Sequence, residues 1–117
     1  MSFKFEKLII WQDSMTFAEK IYKYSSQFPK DEINNLTSQI RRASDSIVLN
    51  IAEGSILQSN PEYRRFLGYS IRSIAEVVTC LYKAKYRNYI TEETFTELYN
   101  ESYKIINHII SFRNKLI

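Results

Sequence analysis

Apolar residues recur at intervals of three and four along most of the chain, the pattern of amphipathic α-helices. The pattern predicts four helices at about residues 6–27, 31–55, 60–87 and 91–115. The fourth is the most regular, and its apolar seam is Phe95, Leu98, Ser102, Ile105, Ile109, Phe112 and Leu116. Because the connections are only a few residues long, neighbouring helices must run antiparallel. The sequence therefore predicts an all-α fold, a single-domain, antiparallel up-down-up-down four-helix bundle.

The ends of the first two helices carry local stop and start signals. Pro29 should end the first helix, because the residue before a proline avoids the α-helical region. Asp31 is a favoured capping residue and is predicted to start the second helix. Gly54 is predicted to end that helix in the left-handed conformation that glycine adopts easily.

The later helix ends are also marked in the sequence. Residues 56–59 are predicted to form a linker. Asn60 is the expected N-cap of the third helix, with Pro61 at the first helical position. Asn88 suits a left-handed turn after that helix, and Thr91 is the expected cap of the fourth.

The second helix departs from a simple amphipathic pattern at Asn50, where the spacing calls for an apolar residue. A buried asparagine must find hydrogen-bond partners, and in helical bundles it can fix register and oligomer state. We therefore favour a role for Asn50 in packing specificity over a ligand site. The face opposite the seam mixes charges with Val48 and Leu49, and such a helix packs against more than one partner.

The first helix also has a broad apolar surface, with a second row that begins at Trp11. Apolar area beyond the needs of one core favours association, since its burial is favourable. The sequence therefore predicts an oligomer rather than a monomer. Four residues are candidates for its interface or for specific core packing: Trp11, Val48, Leu49 and Asn50.

Composition excludes several kinds of chemistry. The 117 residues include one cysteine, Cys80, and one histidine, His108, so an internal disulfide and a zinc site are not expected. Cys80 is interpreted as a packing thiol and His108 as a surface residue. No cofactor is predicted, and no signal peptide or membrane-spanning run is found, so a cytoplasmic protein is expected.

The net charge of +3 and the isoelectric point near 9.0 permit contact with nucleic acid without requiring it. Two arginine doublets are the candidates for phosphate contacts: Arg41, Arg42, Arg64 and Arg65. Local ion pairs are the alternative explanation, with Asp45 for the first doublet and Glu62 for Arg65.

Four motifs resemble the four-helix-bundle proteins related to the 23S rRNA intervening-sequence protein. That family was once labelled ribosomal and includes the accessory variability determinant of diversity-generating retroelements. The resemblance covers about residues 5–90. Its motifs are Phe5-x-x-Leu8-x-x-Trp11-Gln12, Phe28-Pro29-x-x-Glu32, Gln39-Ile40-Arg41-Arg42-Ala43-Ser44-x-Ser46-Ile47-x-x-Asn50-Ile51-Ala52-Glu53-Gly54 and Glu62-Tyr63-x-x-Phe66-Leu67.

The resemblance implies a homopentameric, barrel-like ring without enzyme activity. Its relatives from retroelements bind nucleic acid together with a reverse transcriptase. Our prediction is a non-enzymatic oligomer that binds RNA or DNA, or scaffolds a nucleic-acid complex, through its basic surface. The alternative is a protein-binding adaptor or structural ring in which the arginines form salt bridges between subunits.

Overall fold

The computed structural model describes residues 1–56 and 59–117, and within them the chain forms four α-helices and no strand. The helices are α1 (Ile9–Ser25), α2 (Leu36–Ile56), α3 (Asn60–Tyr86) and α4 (Glu92–Asn114). Short 3₁₀ turns at Lys4–Lys7 and Lys30–Glu32 precede α1 and α2. The prediction of an all-helical chain is confirmed.

Each helix packs on the next, and α1 also contacts α4, with the most extensive contact between α2 and α3. The principal extents of 43 × 23 × 22 Å fit helices that lie side by side. We call the end with the α1–α2 and α3–α4 connections the hairpin end. The opposite end, which holds both chain termini, is called the termini end.

The core follows the predicted seam of α4, which is buried at Phe95, Leu98, Ser102, Ile105 and Ile109 and partly buried at Phe112 and Leu116. The prediction for α2 is less accurate. In α2, Ile47 and Ile51 are fully buried whereas Asn50 is half-buried, so the predicted seam position of Asn50 is wrong. A helix has 3.6 residues per turn, and a strict three-four alternation drifts away from the core over several turns.

Asn50 instead lies on the side of α2 that faces α3. Its amide Nδ2 donates to the carbonyl oxygen and to the hydroxyl of Ser46, both at 2.9 Å. The hydroxyl of Ser73 on α3 donates to the same Ser46 hydroxyl at 3.0 Å. Asn50 is therefore satisfied within its own helix, and it is linked to α3 through a pair of serines.

The other three candidates for interface or core packing differ in exposure. Val48 is 6% exposed and Leu49 is 58% exposed, so only Leu49 offers its side chain to another molecule. Trp11 is half-buried against the core, and its ring centroid lies 5.3 Å from that of Phe5. Trp11 thus fixes the N-terminal 3₁₀ turn to the bundle.

Two predicted caps are wrong and two are confirmed. Asp31 lies in a 3₁₀ turn, and α2 starts only at Leu36. Ser59, rather than Asn60, caps α3 by accepting from the Glu62 N–H. As expected, the Thr91 hydroxyl accepts from the Thr94 N–H, and Asn88 has a φ of 61°. The predicted linker at 56–59 includes Leu57 and Gln58, which lie outside the described residues.

Gly54 does not end α2, which continues to Ile56, and its φ is not positive. A Cβ atom at this position would lie 2.9 Å from Cβ of Phe66 and 3.0 Å from Cδ1 of Tyr63. The glycine is therefore required by the close approach of α2 and α3, rather than by a turn.

Candidate nucleic-acid interface

Arg41 closes the C-terminal end of α1 and is largely committed to that task. Its Nε donates to the Ser25 hydroxyl at 2.9 Å, and its Nη2 donates to the Ser26 hydroxyl at 3.0 Å. Its guanidinium also stacks over the Tyr22 ring, 4.1 Å from the centroid. A cation at this place compensates the negative end of the α1 dipole.

Arg64 closes the C-terminal end of α4, at the termini end of the bundle. Its Nη1 donates to the carbonyl oxygens of Arg113 at 2.6 Å and of Leu116 at 3.1 Å. A second hydrogen bond runs in the opposite direction, from Nε of Arg113 to the carbonyl oxygen of Arg64 at 2.8 Å. The first arginine of each doublet is thus bound to backbone and hydroxyl oxygens of a neighbouring helix.

The second arginine of each doublet is exposed. Arg65 pairs with Glu62, and its guanidinium lies 5.6 Å from the Phe66 ring centroid. Arg42 forms no hydrogen bond or salt bridge with any residue that the structure describes, and the predicted pairs with Asp45 do not form there. The pKa of Asp45 is raised by partial burial and by the nearby charge of Glu19, while Arg41 opposes the shift.

The charges of α4 are segregated along the helix. Its acidic residues all fall in the first half: Glu92, Glu93, Glu97 and Glu101. From residue 102 to 117 the sequence has no acidic residue and carries Lys104, His108, Arg113 and Lys115. This arrangement complements the α4 dipole. Because the second half of α4 reaches the termini end, it also makes that end basic.

A groove of about 390 Å³ at the termini end gathers several of these groups. Lys7 and the start of α1 form one wall, and His108, Ser111 and Phe112 of α4, with Lys115 just after this helix, form the other. No carboxylate lines the groove among residues 1–56 and 59–117. We call it the basic groove, and its cationic and hydroxyl side chains can donate hydrogen bonds to phosphate oxygens.

Aromatic side chains lie at the same end of the bundle, in and beside the N-terminal 3₁₀ turn that carries Lys7. Phe3 is 62% exposed, and its ring stacks on Phe5 with the centroids 5.6 Å apart and an interplanar angle of 11°. Phe5 in turn packs on Trp11. An exposed ring fixed by a second ring can stack on an unpaired base, and such stacking is common in the recognition of single-stranded RNA.

Two lysines toward the hairpin end, in contrast, are paired with acids. Lys20 binds Glu97 at 3.2 Å and Glu101 at 2.5 Å, which raises the Lys20 pKa mainly through the Glu101 hydrogen bond. Lys85 binds Glu92 at 3.2 Å. Lys7 and Lys115 of the basic groove form no such pair with a described residue.

Glu32 is the centre of a polar network at the hairpin end. Its Oε2 accepts from the Tyr89 hydroxyl at 2.7 Å and from Arg87 Nη1 at 3.0 Å. Its Oε1 accepts from the Asn35 amide at 2.9 Å and from the Leu36 N–H at 3.3 Å. These contacts, led by the Tyr89 hydrogen bond, lower the pKa of Glu32. Glu32 of the Phe28-Pro29-x-x-Glu32 motif thus has a structural role, because it joins the start of α2 to Arg87 and Tyr89 after α3.

A second surface feature is an apolar groove of about 300 Å³ between α3 and α4. Ile74, Ala75 and Val78 line one side, and Tyr99 and Ile106 line the other. Tyr103 stands at its edge with 61% of its surface exposed. The sequence analysis assigned α4 a single apolar seam, and Tyr99, Tyr103 and Ile106 lie outside that seam, so this apolar surface was missed.

No group of three or more histidine, cysteine or carboxylate residues is placed to hold a metal ion within the described part of the chain. Cys80 is buried, and its burial raises the thiol pKa, which disfavours the thiolate. Within the same residues, none of the helices is both long enough and apolar enough to span a bilayer.

The comparisons with known proteins agree with this fold. Residues 6–111 match the protein family described as "23S rRNA-intervening sequence protein". A crystal structure of a protein of unknown function, from the S23 ribosomal protein family of Bacteroides thetaiotaomicron, superimposes with a TM-score of 0.84. The two are 24% identical, and the match covers 91% of this chain and 96% of the other. The search of curated proteins finds no match.

Proposed function

The chain belongs to the 23S rRNA-intervening sequence protein family, and from this premise we propose that it is a non-enzymatic RNA-binding protein whose RNA site is the basic groove. The observation that carries the proposal is the cluster of Lys7, His108, Ser111 and Lys115 without a lining carboxylate. The link of the family to rRNA favours RNA over DNA.

The groove supports the proposal better than the arginine doublets do. Arg64 is engaged with α4 and Arg65 is paired with Glu62. Arg41 lies at the other end of the bundle, where Ser25 and Ser26 hold its Nε and Nη2. Lys7 and Lys115, in contrast, form no salt bridge with any described residue. Lysines without acidic partners release counterions from a phosphate backbone when they bind it, which supplies most of the affinity for nucleic acid.

The exposed Phe3 ring adds a means of distinguishing unpaired from paired RNA. Bases in an A-form helix are stacked on one another, whereas bases in loops and single strands are free to stack on a protein ring. The groove and the ring together favour a single-stranded or looped RNA. Each base stacked on an aromatic side chain contributes about 1–3 kcal/mol.

Salt-titrated binding of a fluorescent single-stranded RNA, with DNA of the same sequence in parallel, tests the proposal. For single strands the slope of log K against log salt is about −0.7 for each phosphate contact. The double variant Lys7→Gln/Lys115→Gln should weaken binding and reduce the slope by about 1.4 for two contacts. Phe3→Ala should weaken binding to a loop more than binding to a duplex.

The matched control is Lys23→Gln/Lys83→Gln, which removes the same charge from exposed positions outside the groove. This control should bind nearly as well as the wild type. An equal loss in both double variants would show that only net charge matters. Absence of RNA binding at low salt would contradict the proposal. Stronger binding of DNA than of RNA would change the proposed ligand from RNA to DNA.

We also propose that the protein assembles with copies of itself, in a ring as its resemblance implies. Leu49 and Ile56 on α2 are each 58% exposed, and the apolar groove between α3 and α4 is uncovered in the single chain. Multi-angle light scattering measures the mass directly. A protein that stays monomeric at micromolar concentration contradicts this proposal.

A protein-binding adaptor is the second candidate function. The apolar groove between α3 and α4, edged by tyrosines, supports it, because tyrosine is enriched where proteins bind one another. Tyr103→Glu should prevent protein binding in this groove while RNA binding at the termini end persists. A reverse transcriptase is one candidate partner, and co-purification with and without the Tyr103 change tests it.

A further inference from the structure

A separate cavity, also of about 390 Å³, lies at the hairpin end between the last turn of α1 and the first turns of α2. It is on the opposite end of the bundle from the basic groove. Its lining combines basic and hydroxyl side chains with an apolar wall: Lys30, Thr37, Arg41, Phe28, Pro29 and Ile33. We call it the Thr37 cavity.

Thr37 is the unusual residue in this cavity. It is only 2% exposed, and its hydroxyl forms no hydrogen bond with any residue that the structure describes. Among the described residues, the one fully buried side-chain oxygen without a partner is Oγ of Ser14, so the Thr37 hydroxyl keeps some access to the cavity that it lines. There it can bond to water or to a ligand.

The start of α2 adds further hydrogen-bond donors beside this hydroxyl. The first backbone bond of the helix joins the Gln39 N–H to the Asn35 carbonyl, so the N–H groups of Thr37 and Ser38 have no backbone acceptor. The Leu36 N–H is already bound by Glu32. The free N–H groups and the positive end of the α2 dipole favour an anion at this place.

Arg41 supplies a fixed cation one turn further along α2. Its Nε and Nη2 are held by Ser25 and Ser26, whereas its Nη1 forms no hydrogen bond with the described chain. A guanidinium has five N–H donors, so both donors on Nη1 remain available. Because Ser25, Ser26 and the Tyr22 ring already fix the group, binding an anion would cost little side-chain entropy.

The carboxylates nearby lie outside the cavity lining. Glu32 accepts from the Leu36 N–H at the start of α2 and is itself bound by Arg87 and Tyr89. Asp31 is exposed in the 3₁₀ turn and does not line the cavity. Lys30 and Arg41 both line it, so the positive charge of the lining exceeds the negative charge.

We propose that the Thr37 cavity binds a phosphate monoester. The phosphate oxygens accept hydrogen bonds from the Thr37 hydroxyl, the first N–H groups of α2 and the Arg41 guanidinium, and Lys30 adds charge. The organic group of the ester packs on the apolar wall of Phe28, Pro29 and Ile33. A free nucleotide and the 5′-phosphate end of an RNA share this chemistry.

Isothermal titration calorimetry with adenosine 5′-monophosphate, and with inorganic phosphate, tests the site. Thr37→Val keeps the shape of the side chain but removes its hydroxyl, and it should weaken binding of the nucleotide about tenfold. Lys30→Gln should weaken it by a smaller factor. Thr79→Val, an exposed threonine on α3, is the matched control and should leave binding unchanged.

The source of the phosphate is resolved by comparing a 5′-phosphorylated RNA with the same RNA bearing a 5′-hydroxyl. A Thr37-dependent preference for the phosphorylated RNA identifies an RNA end, and binding of the mononucleotide without that preference identifies a free nucleotide. The proposal is overturned if neither probe binds the wild type at millimolar concentration. It is also overturned if Thr37→Val, confirmed as folded by circular dichroism, binds as tightly as the wild type.

The outcome is independent of the RNA site in the basic groove. Lys7→Gln/Lys115→Gln changes the termini end and should leave mononucleotide binding unchanged. Loss of mononucleotide binding in this variant would place the phosphate at the wrong end of the bundle, and would therefore contradict the Thr37 cavity as its site.

Discussion

The two ends of the bundle are held together by different forces. At the hairpin end, Glu32 joins the start of α2 to Arg87 and Tyr89 through its two carboxylate oxygens. At the termini end, α2 and α3 approach closely at Gly54, and the end of α4 is closed by Arg64. The first end depends on a charge that titrates, whereas the second depends on shape and on hydrogen bonds to backbone carbonyls.

The difference bears on function through the lysines. Lys20, Lys85 and Arg87 form salt bridges on the hairpin side of the molecule. Lys7 and Lys115 line the basic groove without a salt bridge to any described residue. The contacts at Gly54 and Arg64 involve neither lysine, so both are available for a ligand.

The largest effect is expected at Gly54, where shape holds the termini end. Gly54→Val would put side-chain atoms where Phe66 and Tyr63 already pack, and should lower the free energy of unfolding by about 2–3 kcal/mol. Urea unfolding followed by circular dichroism measures the loss, which should be the same at pH 7 and at pH 4.

Gly68 provides the matched control for this substitution. A Cβ atom there would meet only Nη2 of Arg113, at 3.8 Å. Gly68→Ala should therefore raise stability by about 0.5–1 kcal/mol through helix propensity. Equal effects at the two glycines would contradict the close approach of α2 and α3.

A smaller effect, which depends on pH, is expected at the hairpin end. The pKa of Glu32 is lowered in the folded protein, so its contribution to stability is present above the unfolded-state pKa of about 4.3. That contribution is lost as the pH falls through the lower, folded-state value. Glu32→Gln should reduce the melting temperature by several degrees at pH 7 and much less in strong acid.

Glu93→Gln is the control for the acid effect, because Glu93 is exposed and forms no salt bridge with the described residues. It should leave both the melting temperature and its dependence on pH nearly unchanged. A wild-type protein as stable below pH 3 as at neutral pH would contradict the role assigned to Glu32.

The smallest effect distinguishes the two members of one arginine doublet. Arg64→Lys loses the Nη1 group that donates to the carbonyl oxygens of Arg113 and Leu116, and should cost about 1 kcal/mol. Arg65→Lys keeps a cation near Glu62 at an exposed site and should change stability by less than about 0.5 kcal/mol. Denaturant unfolding of the two variants side by side measures the difference, and a reversed order would contradict the closing role of Arg64.

Much of this fold was readable from local signals. The seam of α4 is buried from Phe95 to Ile109 as its periodicity predicted, and Thr91 and Asn88 have the predicted cap and turn conformations. Asn50 was wrongly predicted on the buried seam. A three-four alternation averages 3.5 residues per turn, whereas an α-helix has 3.6, so the predicted positions drift away from the core along the helix. Asp31 was misassigned because Glu32, the next residue, reaches the start of α2 from a 3₁₀ turn.

The candidate sites were harder to predict from the sequence, because they join residues that are distant in the chain. Arg64 binds carbonyls 49 and 52 positions away. Lys7 meets His108 only because α1 and α4 are neighbours in the bundle. The uneven charge of α4 was a local signal, since the sequence has no acid after Glu101, and it could have pointed to the basic end.

The packing of Trp11 on Phe5 has a spectroscopic consequence. Trp11 is the only tryptophan of the chain, and it joins the N-terminal 3₁₀ turn to α1 at the termini end. Its emission therefore reports on one place, and a shift without loss of helical signal would mark release of that turn. Quenching on addition of RNA would locate the bound strand without any label, because the native fluorophore already lies at the termini end.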